Sequence, residues 1–490
     1  MESEILNCIL SKIGDYLLDA TIRQIGYIYH FKTNIEDVKE EDKRLRSLKD
    51  LVQQDVDNAV RNTEEIKNDV NKWLSDAYSV MADVEELEKE MQVESQEQYM
   101  AINLVEWERG IMLPDGLMYP NLQILILDAD RYGLTLSKAS DAFFEGMKAL
   151  KVLTLTQVQL SMKSLQFLTN LRTLHLKYCG LEGISSLGML KRLEILSLEG
   201  SVFDELPEEL GELSQLRLLD LFNCFTLKRI PPNVLRRLSH LEELYIGSSS
   251  YSSWAGEGMD AETSNVSLSE LNSLRRLTHL LLEIHDKCLP KDFAFSSTLQ
   301  CYEIQVNGDY GTFWDTRRTI AKRKFSKSRI LNIRSGKFTT FAAFKALYPT
   351  LEHFNSSYSE FSENIVPTID PTGLIELKSL QLRYCSELKC IVDASLQQVP
   401  ATAFSNLVEL SLYNFPANGN DILLPKLRKL RLQYLPNLIS LCPKNYKTTW
   451  PTTLEELALW GFRNFAPSVI VELEAVMKTA FEVCFYFKFM

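Results

Sequence analysis

The residues able to do chemistry are present in this chain but not gathered where chemistry needs them. Six histidines and nine cysteines could hold a metal or act as nucleophiles. His279 and His285 stand six apart, and no HExxH pair exists. The cysteines form no CxxC pair, so neither a zinc site nor a redox motif is spelled out. The only Gly-Lys pair, Gly336 and Lys337, lacks the earlier glycine of G-x-x-x-x-G-K-[ST]. No backbone cradle for phosphates is therefore encoded. A G-x-S-x-G nucleophile elbow is missing too. We expect no catalytic residue, no metal and no cofactor.

Binding chemistry is better represented. Tyr178, Phe222, Tyr245, Tyr384, Tyr413, Tyr434 and Trp460 recur at comparable places in a periodic pattern, and all are expected on outward strand positions. Arg383, Arg428, Lys429 and Arg431 accompany the later ones. Aromatic and arginine side chains are the usual anchors of protein interfaces. The alternative is that outward aromatics pack on one another as cross-strand pairs. We expect residues 378–460 to carry a partner-binding patch, with Arg383, Tyr384, Tyr413, Arg431, Tyr434 and Trp460 at its centre.

The elements that must position these residues follow from an L-x-x-L-x-L pattern. It reads LRTLHL at 171–176, LEILSL at 193–198, LRLLDL at 216–221 and LEELYI at 241–246. It returns as LTHLLL at 277–282, LKSLQL at 377–382, LVELSL at 407–412, LRKLRL at 427–432 and LEELAL at 454–459. Weaker copies begin near Leu122, Leu150, Leu299, Ser328 and Leu351. Starts lie 20 to 30 residues apart, except for 36 after Leu241. This is the period and wording of leucine-rich repeats. Side chains alternate along each short strand, so Leu174 and Leu176 point inward while His175 and Lys177 point out. One turn cannot bury its own leucines, but a stack of turns makes a continuous core. Cys179, Cys224 and Cys385 each follow the last strand leucine by three residues, where a small buried group fits. The fold expected is an α/β leucine-rich-repeat solenoid, a parallel-sheet horseshoe, over residues 121–470.

Before it, residues 1–95 read as a helical module. No proline occurs before Pro114, and only Gly14 and Gly26 interrupt residues 1–109. Ile5, Ile9, Ile13 and Tyr16 form one apolar stripe. Leu45, Val52, Ala59, Ile66, Trp73, Val80 and Leu87 are seven apart, and Val56, Thr63, Val70, Ala77, Val84 and Met91 interleave with them. That a/d heptad fits one coiled coil, or equally two antiparallel helices broken near residues 58–62. Residues 96–120 read as a linker and 471–490 as a tail.

Charge divides the chain in the same place. Residues 1–100 hold 23 acidic and 12 basic side chains, whereas the remainder is almost neutral at 42 against 41. Nucleic-acid binding would need a basic footprint and is not expected. One basic run, Arg317, Arg318, Lys322, Arg323, Lys324, Lys327 and Arg329, reads as a solvated face or a nuclear-import signal. No stretch approaches the ~18 consecutive apolar residues of a membrane span. The Met-Glu-Ser-Glu start lacks the basic region of a secretory signal. Together with unpaired cysteines this points to the cytoplasm, with a nuclear share possible.

The wording of the repeats adds a resemblance. KRLEILSLEGSVFDELPEELGELSQLRLLDLFNC, followed by IPPNVLRRLSHLEELYIGSS, resembles the repeat domain of plant coiled-coil nucleotide-binding leucine-rich-repeat disease resistance proteins. FFEGMKALKVLTL resembles the entry to that domain, and VNKWLSDAYSVMADVEELEKE at 70–90 its coiled coil. Such receptors carry a nucleotide switch between the two parts, but here only residues 91–121 separate them. The resemblance implies a defence-response protein that recognises other proteins and has no nucleotide switch of its own. Its partners would be a pathogen effector, a guarded host protein or a full-length receptor, with self-association through residues 1–95. Two alternatives stay open: a generic cytosolic repeat scaffold, and a truncated receptor product without independent function.

Overall fold

The computed structural model describes residues 42–62, 68–93, 99–105, 113, 116–128, 136–247, 254–255, 265–308, 328–361, 364–366, 368–385, 387–388, 390–392, 400, 402–414, 426–434, 453–460 and 487–488. The stripe from Ile5 to Tyr16, the basic run up to Lys327 and almost all of the C-terminal tail lie outside them. The chain falls into two compact units, Met1–Leu174 and His175–Met490.

The first unit opens with two helices, over residues 42–61 and Asn68–Val93. Arg46 on the first reaches Glu85 on the second at 3.2 Å, although 39 residues separate them. A continuous helix would hold those positions about 58 Å apart. The heptad therefore folds back as an antiparallel pair. Leu45, Val52, Val56 and Ala59 are half-buried along the first helix, as the heptad demands. On the second, Leu74, Ala77 and Met81 are buried while Val80 is 49% exposed. The packed stripe Val70, Leu74, Ala77, Met81, Val84 keeps the seven-residue repeat, with Leu74 and Met81 taking the places expected of Trp73 and Val80.

A strand at Ala101–Val105, inside the stretch expected to link the modules, pairs in parallel with Ile124–Asp128. That strand pairs with Val152–Thr156. Leu125, Leu127, Leu153 and Leu155 all point inward and are buried. A second, narrower pairing joins Ser137–Ala139 to Val158–Ser161.

In the second unit the strands run parallel in chain order, from Ile195–Ser197 through Leu218–Asp220, Glu243–Ile246, His279–Ile284, Cys301–Val306, Arg329–Arg334, His353–Ser357, Ser379–Arg383, Glu409–Tyr413 and Lys429–Gln433 to Glu456–Trp460. This is a leucine-rich-repeat solenoid. The inward leucines form its core: Leu196, Leu198, Leu219, Leu221, Leu244, Leu380 and Leu382 are completely buried. Each contributes about 1.5–3 kcal/mol of transfer free energy. The return segments are single turns rather than long helices. Glu208–Glu212 is a 3-10 turn and Val234–Arg237 one turn of α-helix. Short returns keep the repeat near the shorter end of its period. Later turns fill the same layer with aromatic rings, Phe295 stacking on Phe344 at 5.0 Å and Phe341 on Phe361 at 4.7 Å.

The cysteines are part of this core. Cys179, Cys224 and Cys385 are wholly buried. The Cys224 thiol donates to the Leu198 carbonyl of the preceding turn at 3.1 Å. Burial pushes the Cys385 thiol up to about 11, which keeps it protonated and unreactive.

Candidate recognition surface

Outward positions of the second unit fall into rows, because strand neighbours stand in register about 4.8 Å apart. What occupies those rows changes along the sheet. Near its start the outward residues are sealed. Phe222 is 0% and Tyr245 4% exposed, and with Leu281 they form one apolar cluster edged by Leu218. The expectation that Phe222 and Tyr245 stand free on the surface is thus overturned. Gly247 makes room for the cluster, since a Cβ there would come within 2.5 Å of Leu281 Cδ2. The Tyr245 hydroxyl donates to Glu243 Oε2 at 2.5 Å. Burial, then the Glu243 charge, pushes its ionisation far above the ordinary tyrosine range. Asp220, also buried, accepts from the Ser197 hydroxyl at 2.7 Å and from the Phe222 amide at 3.0 Å.

Further along, the outward residues are open. Tyr358, Tyr384, Tyr413 and Tyr434 form a ladder, with ring centroids 4.5, 4.8 and 5.2 Å apart, the first pair stacked, the second tilted and the third edge-on. The Arg334 guanidinium lies over the first ring, 5.3 Å from its centroid. Tyr358 is 49% and Tyr434 50% exposed, while the two middle rings are half-buried. Tyr384 is pushed up to about 12, first by its hydrogen bond with Tyr413 and then by burial.

The ladder does not sit where alternation alone would put it. Of these four only Tyr413 is a strand residue; Tyr358, Tyr384 and Tyr434 directly follow their strands with φ of +54°, +55° and +51°. Tyr178 does the same at +53°. Here the chain leaves the sheet, yet the amides still pair with the next turn: Tyr384 N donates to Tyr413 O and Tyr358 N to Arg383 O, both at 2.9 Å. In other turns asparagine holds this place, at Asn223, Asn307 and Asn414, as its tolerance of left-handed backbone favours. Tyrosine is less suited and costs about 1–3 kcal/mol per residue there. Ring contacts worth about 0.5–1.5 kcal/mol each offset part of that. At Tyr178 the ring instead covers Gly200, where a Cβ would come within 2.3 Å of it.

The arginines divide in the same way. Arg383 is exposed. Arg431 is committed to Glu456 through two bonds of 2.8 and 3.2 Å, and Lys429 pairs with Glu409 at 3.0 Å. Arg428 meets Glu455 at 3.4 Å. Backbone pairing places Trp460 beside Gln433 at the strand end.

Sequence reading missed one row entirely. Asn332, Asn355 and Gln381 stand in direct register on adjacent strands, followed by Ser411 and Arg431. Asn355 Nδ2 donates to Asn332 Oδ1 at 2.7 Å. Asn355 Oδ1 is buried and has no partner among the described residues. Aligning the repeats on their inward leucines would have exposed the row. Asn355 begins a sequon-like Asn-Ser-Ser, but it lies within a strand and is half-buried.

A stacked parallel sheet built on buried, periodic leucines defines a leucine-rich-repeat protein. Residues 136–464 match the leucine-rich repeat region family, and the chain belongs to it. Over 381 residues it is 26% identical to "Disease resistance protein At4g27190" of Arabidopsis thaliana, covering 63% of this chain and 38% of that protein. It thus spans well under half of that relative's length. Among solved structures it is similar to a leucine-rich-repeat protein of Leptospira interrogans, with a TM-score of 0.48 and 17% identity over 81% of this chain and 98% of that one. Another is the ectodomain of the receptor kinase GASSHO1/SCHENGEN3 from Arabidopsis thaliana, with a TM-score of 0.41, 17% identity, and coverage of 79% and 44%. No helix among the described residues is long and apolar enough to cross a membrane.

Proposed function

We propose that this chain is a plant defence-response protein that acts by recognising other proteins through the open stretch of its sheet. One observation carries the reading: the tyrosine ladder leaves aromatic surface exposed, whereas the outward rings at Phe222 and Tyr245 are sealed and Lys429 and Arg431 are ion-paired. Tyrosine offers rigid, amphipathic contact area at low entropic cost, which suits an interface. The likeness to a disease resistance protein supports the biological setting. The partner is a pathogen effector, a guarded host protein or a full-length receptor. Arg383, Tyr384, Tyr413 and Tyr434 are the contact residues, with Trp460 at the far end; Arg431 orders the surface through Glu456. The acidic helices of residues 1–95 provide self- or hetero-association. The chain's own sequence spells no phosphate loop, so recognition rather than nucleotide exchange is the task of these residues. It works in the cytoplasm, with a nuclear share.

The test is quantitative affinity purification from plant tissue. Wild-type chain and the triple variant Tyr384→Ala, Tyr413→Ala, Tyr434→Ala are compared at equal abundance. Loss of the proteins specific to wild type supports the reading, and an unchanged set overturns it.

A further inference from the structure

The row of amides beside the tyrosine ladder narrows the partner's chemistry. Between the strands Arg329–Arg334 and Lys429–Gln433, the middle outward row reads Asn332, Asn355, Gln381, Ser411, Arg431. The trailing row reads Arg334, Ser357, Arg383, Tyr413, Gln433. Neither row holds a carboxylate. Among the described residues, the acidic groups bordering this strip in the leading row are Glu409 and Glu456, which pair with Lys429 and Arg431, and Glu303, which stands beside Ile330. In a chain of net charge -12, these two rows are uncharged or cationic. Arg383 is exposed at their centre, and Asn355 Oδ1 is a buried acceptor short of a donor.

We propose that this strip binds an extended, acidic peptide segment of the partner. The inference rests on the recognition surface argued above and deepens it. Side-chain amides carry both a donor and an acceptor, as peptide groups do, so the middle row can pair with a main chain laid across the strands. Carboxylates of the segment would meet Arg383 with charge-assisted bonds. Five strands at about 4.8 Å spacing cover about 19 Å, the length of about six extended residues. Nucleic acid fits less well. One face of Tyr384 is stacked on Tyr358, and Tyr413 meets its two neighbours at 57° and 60°, so the ladder offers no run of parallel ring faces as a stacking platform.

The experiment selects binders to the full chain from a random decapeptide display library. The top-ranked peptide, labelled with fluorescein, is then measured by anisotropy against three proteins. These are wild type, Arg383→Glu and the ladder variant Tyr384→Ala, Tyr413→Ala, Tyr434→Ala, each checked for native circular dichroism. The proposal expects enrichment of Asp and Glu, roughly tenfold weaker binding to Arg383→Glu, and further weakening by salt. Selection without an acidic excess, no selection at all, or equal affinity for Arg383→Glu overturns it. If non-acidic peptides are selected and only the ladder variant loses them, the acidic class fails while the recognition surface stands. If peptides bind all three proteins alike, the surface itself is wrong. Tighter binding of a single-stranded oligonucleotide than of any selected peptide also overturns the proposal.

Discussion

Two stretches of one parallel sheet use the same repeat grammar to opposite ends. Around residues 218–284 the outward positions hold Leu218, Phe222, Tyr245 and Leu281, and they close on one another. Around residues 329–434 the outward positions hold amides, arginines and Tyr413, with three further tyrosines just beyond the strands, and they stay open. The inward leucines are buried in both. Residue type at an outward position therefore does not say whether it faces a partner. What decides is whether neighbouring rows supply apolar groups of complementary size. Leu281 beside Tyr245, with Gly247 leaving space, closes the first stretch. Tyrosines placed on left-handed backbone after the strands pack on neighbouring rings and on Arg334, and the second stretch stays accessible.

The comparison can be broken most sharply where it is structural. Phe222→Ala should cost about 3–5 kcal/mol, as truncation of a fully buried ring does, and thermal or urea unfolding would register it. A loss near that of an exposed residue would mean that the first stretch is as open as the second. Gly200→Ala should follow at about 1–3 kcal/mol, because φ is +68° and the Tyr178 ring occupies the space of a Cβ. A neutral result would show that the ring moves aside without cost. Tyr384→Ala should cost less, about 1 kcal/mol, since it removes two ring contacts from a half-exposed position while alanine keeps the Cβ that strains the left-handed backbone.

The smallest effect is on pH. Tyr384 ionises near 12 in the folded chain against 10 unfolded. Its contribution to stability is thus fully present below pH 10 and is lost as pH rises through 12. Ultraviolet difference titration of wild type against Tyr384→Phe should show one tyrosinate missing at that upper end. If the missing tyrosinate instead appears near pH 10, the ladder hydrogen bond to Tyr413 is not formed.

Much of the fold was legible because its period is carried by residues whose burial is obligatory. Leu174, Leu196, Leu219 and Leu380 had to point inward, and the buried cysteines followed from their fixed offset. The helical module was legible as a heptad but not as a hairpin, because a seam of that kind fits either arrangement. The Arg46 to Glu85 contact, with the Lys49 ammonium over the Tyr78 ring at 5.1 Å, decides between them. The surface was harder to read. Phe222 and Tyr434 both follow an inward leucine closely, yet Phe222 stands one residue after Leu221 and is buried, while Tyr434 stands two after Leu432, on left-handed backbone, and is exposed. That one-residue difference is a backbone property, and alternation cannot see it. Arg431 read as a contact residue because Glu456 lies 25 residues away in the chain, although the sheet makes them neighbours.

The central claim is that the two stretches divide structure from recognition. The most direct measurement is a substitution scan of every outward position from 218 to 434, read out twice. One readout is abundance of folded protein, and the other is binding of the protein most strongly cross-linked to wild type in plant tissue. The account predicts that changes at Phe222, Tyr245 and Leu281 lower abundance. It predicts that changes at Gln381, Arg383, Tyr384, Tyr413 and Tyr434 lower binding at near-normal abundance. Binding lost through the first group at normal abundance, with the second group silent, would contradict it.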